Sequence, residues 1–128
     1  MGLDMYLEGR TFNWSNGIET PTQDGFEIKD LTLRLGYWRK HPNLHGYIVE
    51  TFAKGVDECQ DIWLDTNMMR QIIEAIKAKS LPETKGFFFG ESDGSEDEES
   101  IEIFEKAIQW LEKKQPNVGK DVYYSASW

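Results

Sequence analysis

The chain has 128 residues, 39% of them hydrophobic and 13% aromatic, with a formal net charge of −9. That apolar content suits one domain with one core and excludes a wholly disordered chain, and no apolar run is long enough to span a bilayer. The charge is concentrated: the acidic segment at 91–102 holds seven acids and no base, so all other residues together carry only −2. Broad phosphate-backbone binding needs a basic excess, so no broad nucleic-acid binding is expected.

Leu3, Met5 and Leu7 alternate with Asp4, Tyr6 and Glu8, the period of a half-buried strand. A flexible loop is expected near 13–25, where Asn, Gly, Ser, Thr and Pro dominate and Asn16-Gly17 and Asp24-Gly25 mark turns. Phe26 and Ile28, then Leu31, Leu33, Leu35 and Tyr37, keep a period of two within each set. The phase slips at Lys29-Asp30, which predicts a bulge or a tight turn there. Pro42 fits the first turn of a helix over 42–53, with Leu44, Tyr47, Ile48 and Phe52 on one stripe and Gly55 as its stop. Ile62-Trp63-Leu64 reads as a short strand. Asp65 or Thr66 then caps a helix whose apolar stripe is Met69, Ile72, Ile73 and Ile76. Ser80-Leu81-Pro82 breaks it. Phe87-Phe88-Phe89, between Gly86 and Gly90, reads as a short buried strand or a hydrophobic plug.

A helix is expected over 98–114, with Ile101, Phe104, Ile108 and Leu111 inward and Trp110 alongside. Its N-terminal acids and C-terminal Lys113-Lys114 match the helix dipole. Val122, Tyr124, Ala126 and Trp128 alternate with polar or aromatic neighbours as a last strand. Together these elements predict an α+β fold: a single domain over 1–128, with a mainly antiparallel sheet of about four to five strands packed by about three helices.

Both histidines, two adjacent aromatics and two adjacent cations fall within one short stretch, the candidate ligand-binding set Tyr37, Trp38, Arg39, Lys40, His41 and His45. Aromatic platforms beside cations suit a nucleotide or another anion. Strand alternation also supplies a plainer reading, with Tyr37 and Arg39 on one face, Trp38 and Lys40 on the other, and one aromatic in the core. His41 and His45 have the spacing of two metal ligands on a helix, but residues 41 to 45 read His-Pro-Asn-Leu-His, not H-E-x-x-H, and nothing fixes further donors. No metal and no cofactor is expected: His41 reads as a cap of the helix that Pro42 opens, and His45 as a solvated or hydrogen-bonded side chain. Cys59 is flanked by acids that oppose a thiolate, and no nucleophile elbow or P-loop is present, so no catalytic residue is assigned. Glu91, Asp93, Glu96, Asp97, Glu98 and Glu99 form the candidate partner-binding set. They read as a solvated start to a helix, as a weak exposed divalent-ion site without the EF-hand order of acids, or as an acidic projection steered toward a basic partner. The two charge extremes, this segment and the Tyr37–His45 stretch, could also be complementary to each other.

The start Met1-Gly2-Leu3-Asp4-Met5-Tyr6-Leu7, the Gly36-Tyr37-Trp38-Arg39-Lys40 element, the Phe87-Phe88-Phe89-Gly90 element and the Tyr-Tyr-Ser-x-Ser-Trp ending together resemble a group of small bacteriophage and prophage proteins with no established activity. The resemblance implies a phage accessory protein in the bacterial cytoplasm, and it carries over no catalytic residue. The lone Cys59 and an N-terminus unlike a signal peptide agree with a cytoplasmic expectation. Two function classes follow. One is a non-enzymatic accessory protein that binds a host or defence-system component, as an inhibitor for example. The other is a small-ligand or nucleotide-binding protein using the Tyr37–His45 segment. A homodimer is a further expectation, with the aromatic last strand adding to a partner's sheet edge.

Overall fold

The computed structural model describes residues 3–13, 22–39, 41–82, 97–113 and 118–128. Four strands form one antiparallel sheet: β1 (Asp4–Asn13), β4 (Asp30–Arg39), β5 (Ile62–Leu64) and β6 (Val118–Ser127), in the order β4-β1-β6-β5. The short strands β2 (Thr22–Gln23) and β3 (Phe26–Glu27) make a separate hairpin. Three helices complete the α+β fold: α1 (Pro42–Phe52), α2 (Thr66–Lys77) and α3 (Asp97–Glu112).

The predicted alternations set the buried layer. Leu3, Met5 and Leu7 meet Val122, Tyr124 and Ala126 on the face that Leu44, Ile48, Met69, Ile72, Phe104 and Ile108 cover. The N- and C-terminal strands pair along their whole lengths, from Asp4 opposite Ser127 to Asn13 opposite Val118. β6 is therefore an interior strand where β5 flanks it, and the long margin of the sheet is β4. β5 pairs only with Val122, Tyr123 and Tyr124, so among the described residues the rest of β6 has β1 as its one neighbouring strand.

The local signals act as their chemistry requires. Asp65 is the N-cap of α2: its carboxylate accepts from the Met68 N–H at 2.7 Å, and its own N–H meets the Met68 sulfur at 3.5 Å. Gly55, at φ +77°, donates its N–H to the Val49 carbonyl and ends α1. Asp24 and Gly25, both at positive φ, turn the β2–β3 hairpin, so this part of the expected loop is structured. The remainder of that loop and the Phe87–Phe89 element lie outside the described residues.

The phase of β4 is the main departure from the expected pattern. Residues 28 and 29 separate β3 from β4 without the bulge or tight turn expected at Lys29-Asp30, and the strand instead bulges at Leu35: Leu7 pairs with Gly36 and Glu8 with Arg34. The extra residue reverses the alternation, so Tyr37 does not share a face with Leu31 and Leu33. Gly36 lies under α3, where a Cβ would sit 2.5 Å from Ile103 Cγ2. At Gly9 a Cβ would sit 2.8 Å from the Trp110 ring. These two glycines let α3 approach the sheet closely.

Candidate functional site

The structure does not gather the Tyr37–His45 segment on one surface. Tyr37 and Arg39 point to the open face of the sheet, and Trp38 points into the core, 3% exposed. His41 and His45 are also buried, at 3% and 2% exposure, while Lys40 lies outside the described residues. Trp38 stacks on Phe104 with ring centroids 5.4 Å apart and donates its indole N–H to Ser100 Oγ at 2.8 Å. His41 occupies the N-cap position of α1 without a side-chain cap bond, and its Nε2 lies 3.6 Å from Asp97 Oδ1. The strand-to-helix junction is thus fastened to the first turns of α3 by Trp38 and His41.

Among the described residues, Asp97 is the acid of the 91–102 segment that approaches the Tyr37–His45 stretch, through its contact with His41. Glu98 and Glu99 follow it in the first turn of α3, where acids face the positive end of the helix dipole, and both stay exposed. Glu91, Asp93 and Glu96 lie outside the described residues.

His45 is the centre of a second polar cluster. Its Nε2 lies 2.9 Å from Asp57 Oδ2, its Nδ1 lies 2.6 Å from Tyr124 Oη, and Trp128 donates its indole N–H to the same Asp57 oxygen at 3.2 Å. Burial and the charge of Asp57 raise the Tyr124 phenol well above its ordinary 10, so it keeps its proton and donates to Nδ1. Nε2–H then donates to Asp57, and both ring nitrogens are occupied. The cluster has the chain-like geometry of a catalytic relay, but Tyr124 is fully buried and its hydroxyl is engaged, so no substrate reaches it. It is a satisfied polar network within the core, tying α1, the following loop and the end of β6 together. No group of three or more potential metal-ligating side chains occurs among the described residues.

The candidate surface that sequence reasoning did not single out is the opposite face of the sheet. The strand register sets it out in rows across β4, β1, β6 and β5: Tyr37–Tyr6–Ser125, then Arg34–Glu8–Tyr123–Trp63, then Thr32–Arg10–Asp121. Among the described residues, no helix covers these rows, and Tyr37 and Trp63 are 43% and 50% exposed. The arginines lie over the rings, with the Arg10 guanidinium carbon 4.3 Å from the Tyr123 centroid and that of Arg34 5.3 Å from Tyr6. The Tyr6 and Tyr37 rings are 5.4 Å apart.

Acids hold the array in place. Asp61 accepts from Arg10 at 2.9 Å, Asp121 from the Trp63 indole at 3.2 Å, and Asp4 from the Tyr37 hydroxyl at 2.6 Å. The bond to Asp4 raises the Tyr37 phenol above its ordinary value. The available signal was the pair Tyr123-Tyr124: in a strand with one covered face, adjacent aromatics cannot both be core.

No protein-family model, curated protein or solved structure matches the chain.

Proposed function

We propose that this chain is a non-enzymatic binding protein that engages a protein partner through the open face of its sheet. With the resemblance of its sequence motifs, the reading extends to a phage accessory protein acting on a host or defence component in the bacterial cytoplasm. The observation that carries the proposal is the array of Tyr6, Tyr37, Tyr123 and Trp63 interleaved with Arg10 and Arg34. Tyr, Trp and Arg are the residues that dominate protein interfaces, and fixing them with hydrogen bonds and stacking beforehand lowers the entropy lost on docking.

The charge of the face favours a protein over a nucleic acid. Arg10, Arg34 and Arg39 are offset along the strands by Asp4, Glu8 and Asp121, with Asp61 beside them, so no phosphate-attracting field results. The nucleotide reading of the Tyr37–His45 segment is less well supported, because Trp38, His41 and His45 are committed to the core. Exposed Glu98 and Glu99 remain available to steer a basic partner toward the molecule.

The test is capture from bacterial lysate on the immobilised chain, followed by affinity measurement with the captured protein. The double variant Trp63→Ala, Tyr123→Ala should bind about thirtyfold or more weakly, as for the loss of an interface hot spot of about 2 kcal/mol. Capture undiminished in that variant, with its circular dichroism unchanged, refutes the assignment of the face. Capture of nothing by the native chain refutes the binding function.

A further inference from the structure

β4 is the long margin of the sheet, ten residues against three in β5, and among the described residues no strand lies on its outer side. A long margin presents a row of backbone donors and acceptors that can template another strand. Its first half, Asp30 to Arg34, is exposed throughout. Leu31 and Leu33 pair with Thr11 and Gly9 on the helix side of the sheet, yet remain 44% and 40% exposed.

The order of this stretch, Asp30-Leu31-Thr32-Leu33-Arg34, is complementary to its own reverse. We propose that two copies of the chain join their β4 margins antiparallel about a two-fold axis at Thr32. In that register Asp30 faces the partner's Arg34, Leu31 faces the partner's Leu33, and Thr32 faces the partner's Thr32. Symmetry repeats the ion pair and the leucine pair, so every side chain of the stretch has a suitable cross-strand neighbour.

Neighbouring registers lack this match. Residues directly opposite one another must share a face, so the axis moves only by whole residues. Centred at Leu31, the pairing sets Asp30 against Thr32 and Lys29 against Leu33. Centred at Leu33, it sets Asp30 against Gly36 and Thr32 against Arg34. Only the axis at Thr32 joins the acid to the base. The bulge at Leu35 bends β4 immediately beyond Arg34, which confines the contact to this stretch and makes it a small, weak interface.

The axis stands perpendicular to the sheet, so two four-stranded sheets become one of eight strands with both open faces on the same side. The pairing goes beyond the proposed binding function and does not depend on it. If both hold, the dimer offers two adjoining copies of one binding face.

Size-exclusion chromatography with light scattering and sedimentation equilibrium on the chain alone tests the pairing. The native chain should show concentration-dependent dimerisation. Asp30→Arg and Arg34→Asp should each weaken it by about tenfold or more, because each places like charges opposite one another twice. An equimolar mixture of the two single variants should form a heterodimer that neither variant matches alone, which a merely misfolded variant cannot do. A covalent readout is independent of affinity: in a Cys59→Ser background, Thr32→Cys should oxidise to a disulfide-linked dimer, because symmetric antiparallel partners lie within disulfide range, whereas Leu33→Cys should not. A chain that stays monomeric at millimolar concentration overturns the proposal, as does a mixture that behaves as the sum of its parts. None of these measurements involves Trp63 or Tyr123, so failure here leaves the partner-capture result standing, and the converse holds.

Discussion

Replacing Tyr124 with Phe tests whether the His45 network is a satisfied core element. The substitution keeps the ring and removes only the hydroxyl that donates to His45 Nδ1 at 2.6 Å. Both residues are almost completely buried, so no water replaces the lost donor and the nitrogen is left with an unmet acceptor site. Orphaning a buried polar group costs about 1–3 kcal/mol. For a domain of this size that corresponds to a fall in Tm of about 4–11 °C.

The decisive comparison is a double-mutant cycle with His45→Leu, read by urea unfolding monitored through tryptophan fluorescence. In the His45→Leu background the phenol is itself the orphan, so Tyr124→Phe should there be neutral or stabilising, with a coupling of about 1 kcal/mol or more. The pH dependence adds a second arm. The folded Tyr124 pKa is raised above its unfolded value of 10, so its contribution is fully present below pH 10 and is lost as pH rises through the folded pKa. Native protein should therefore lose stability above pH 10 more steeply than Tyr124→Phe. Additive single effects, or identical alkaline profiles, would refute the network as drawn.

Two further substitutions probe how α2 and α3 are seated. Gly36→Ala would bring a Cβ 2.5 Å from Ile103 Cγ2 and should cost about 1–3 kcal/mol in denaturant titrations, with much of the loss recovered by adding Ile103→Ala. A loss that Ile103→Ala leaves unchanged would show that the close approach is not the cause. Asp65→Ala removes the acceptor for the Met68 N–H and should cost about 1 kcal/mol in the same titration, while Asp65→Asn should retain most of that stability.

Elements whose signals are local were legible in the sequence, and those that depend on distant partners were not. Leu3, Met5 and Leu7 alternate into the core as their period predicts, and Met69, Ile72, Ile73 and Ile76 form the buried stripe of α2. The roles of the histidines were less visible because their partners are remote in sequence. Tyr124 is 79 residues from His45, and Asp97 belongs to a helix whose packing on the β4–α1 junction no periodicity reports. The open-face array was hidden for a related reason. Trp63 stands between buried Ile62 and Leu64 in a strand of three residues, too short for alternation to announce which side is outward.

The bulge at Leu35 links the two faces of the molecule. With unbroken alternation from Leu31 onward, Tyr37 would join the leucines on the helix side and Trp38 would turn outward. The inserted residue reverses both. Trp38 turns inward to Ser100 and Phe104, which fastens α3 over the sheet, and Gly36 comes under Ile103, where only a glycine leaves room for the helix. Tyr37 turns outward beside Tyr6 and completes the aromatic row of the open face. The same bend ends the straight, self-complementary half of β4 at Arg34. One irregularity of a single residue thus seats the helix layer, supplies the open face with its outermost ring and sets the length of margin available to a second copy.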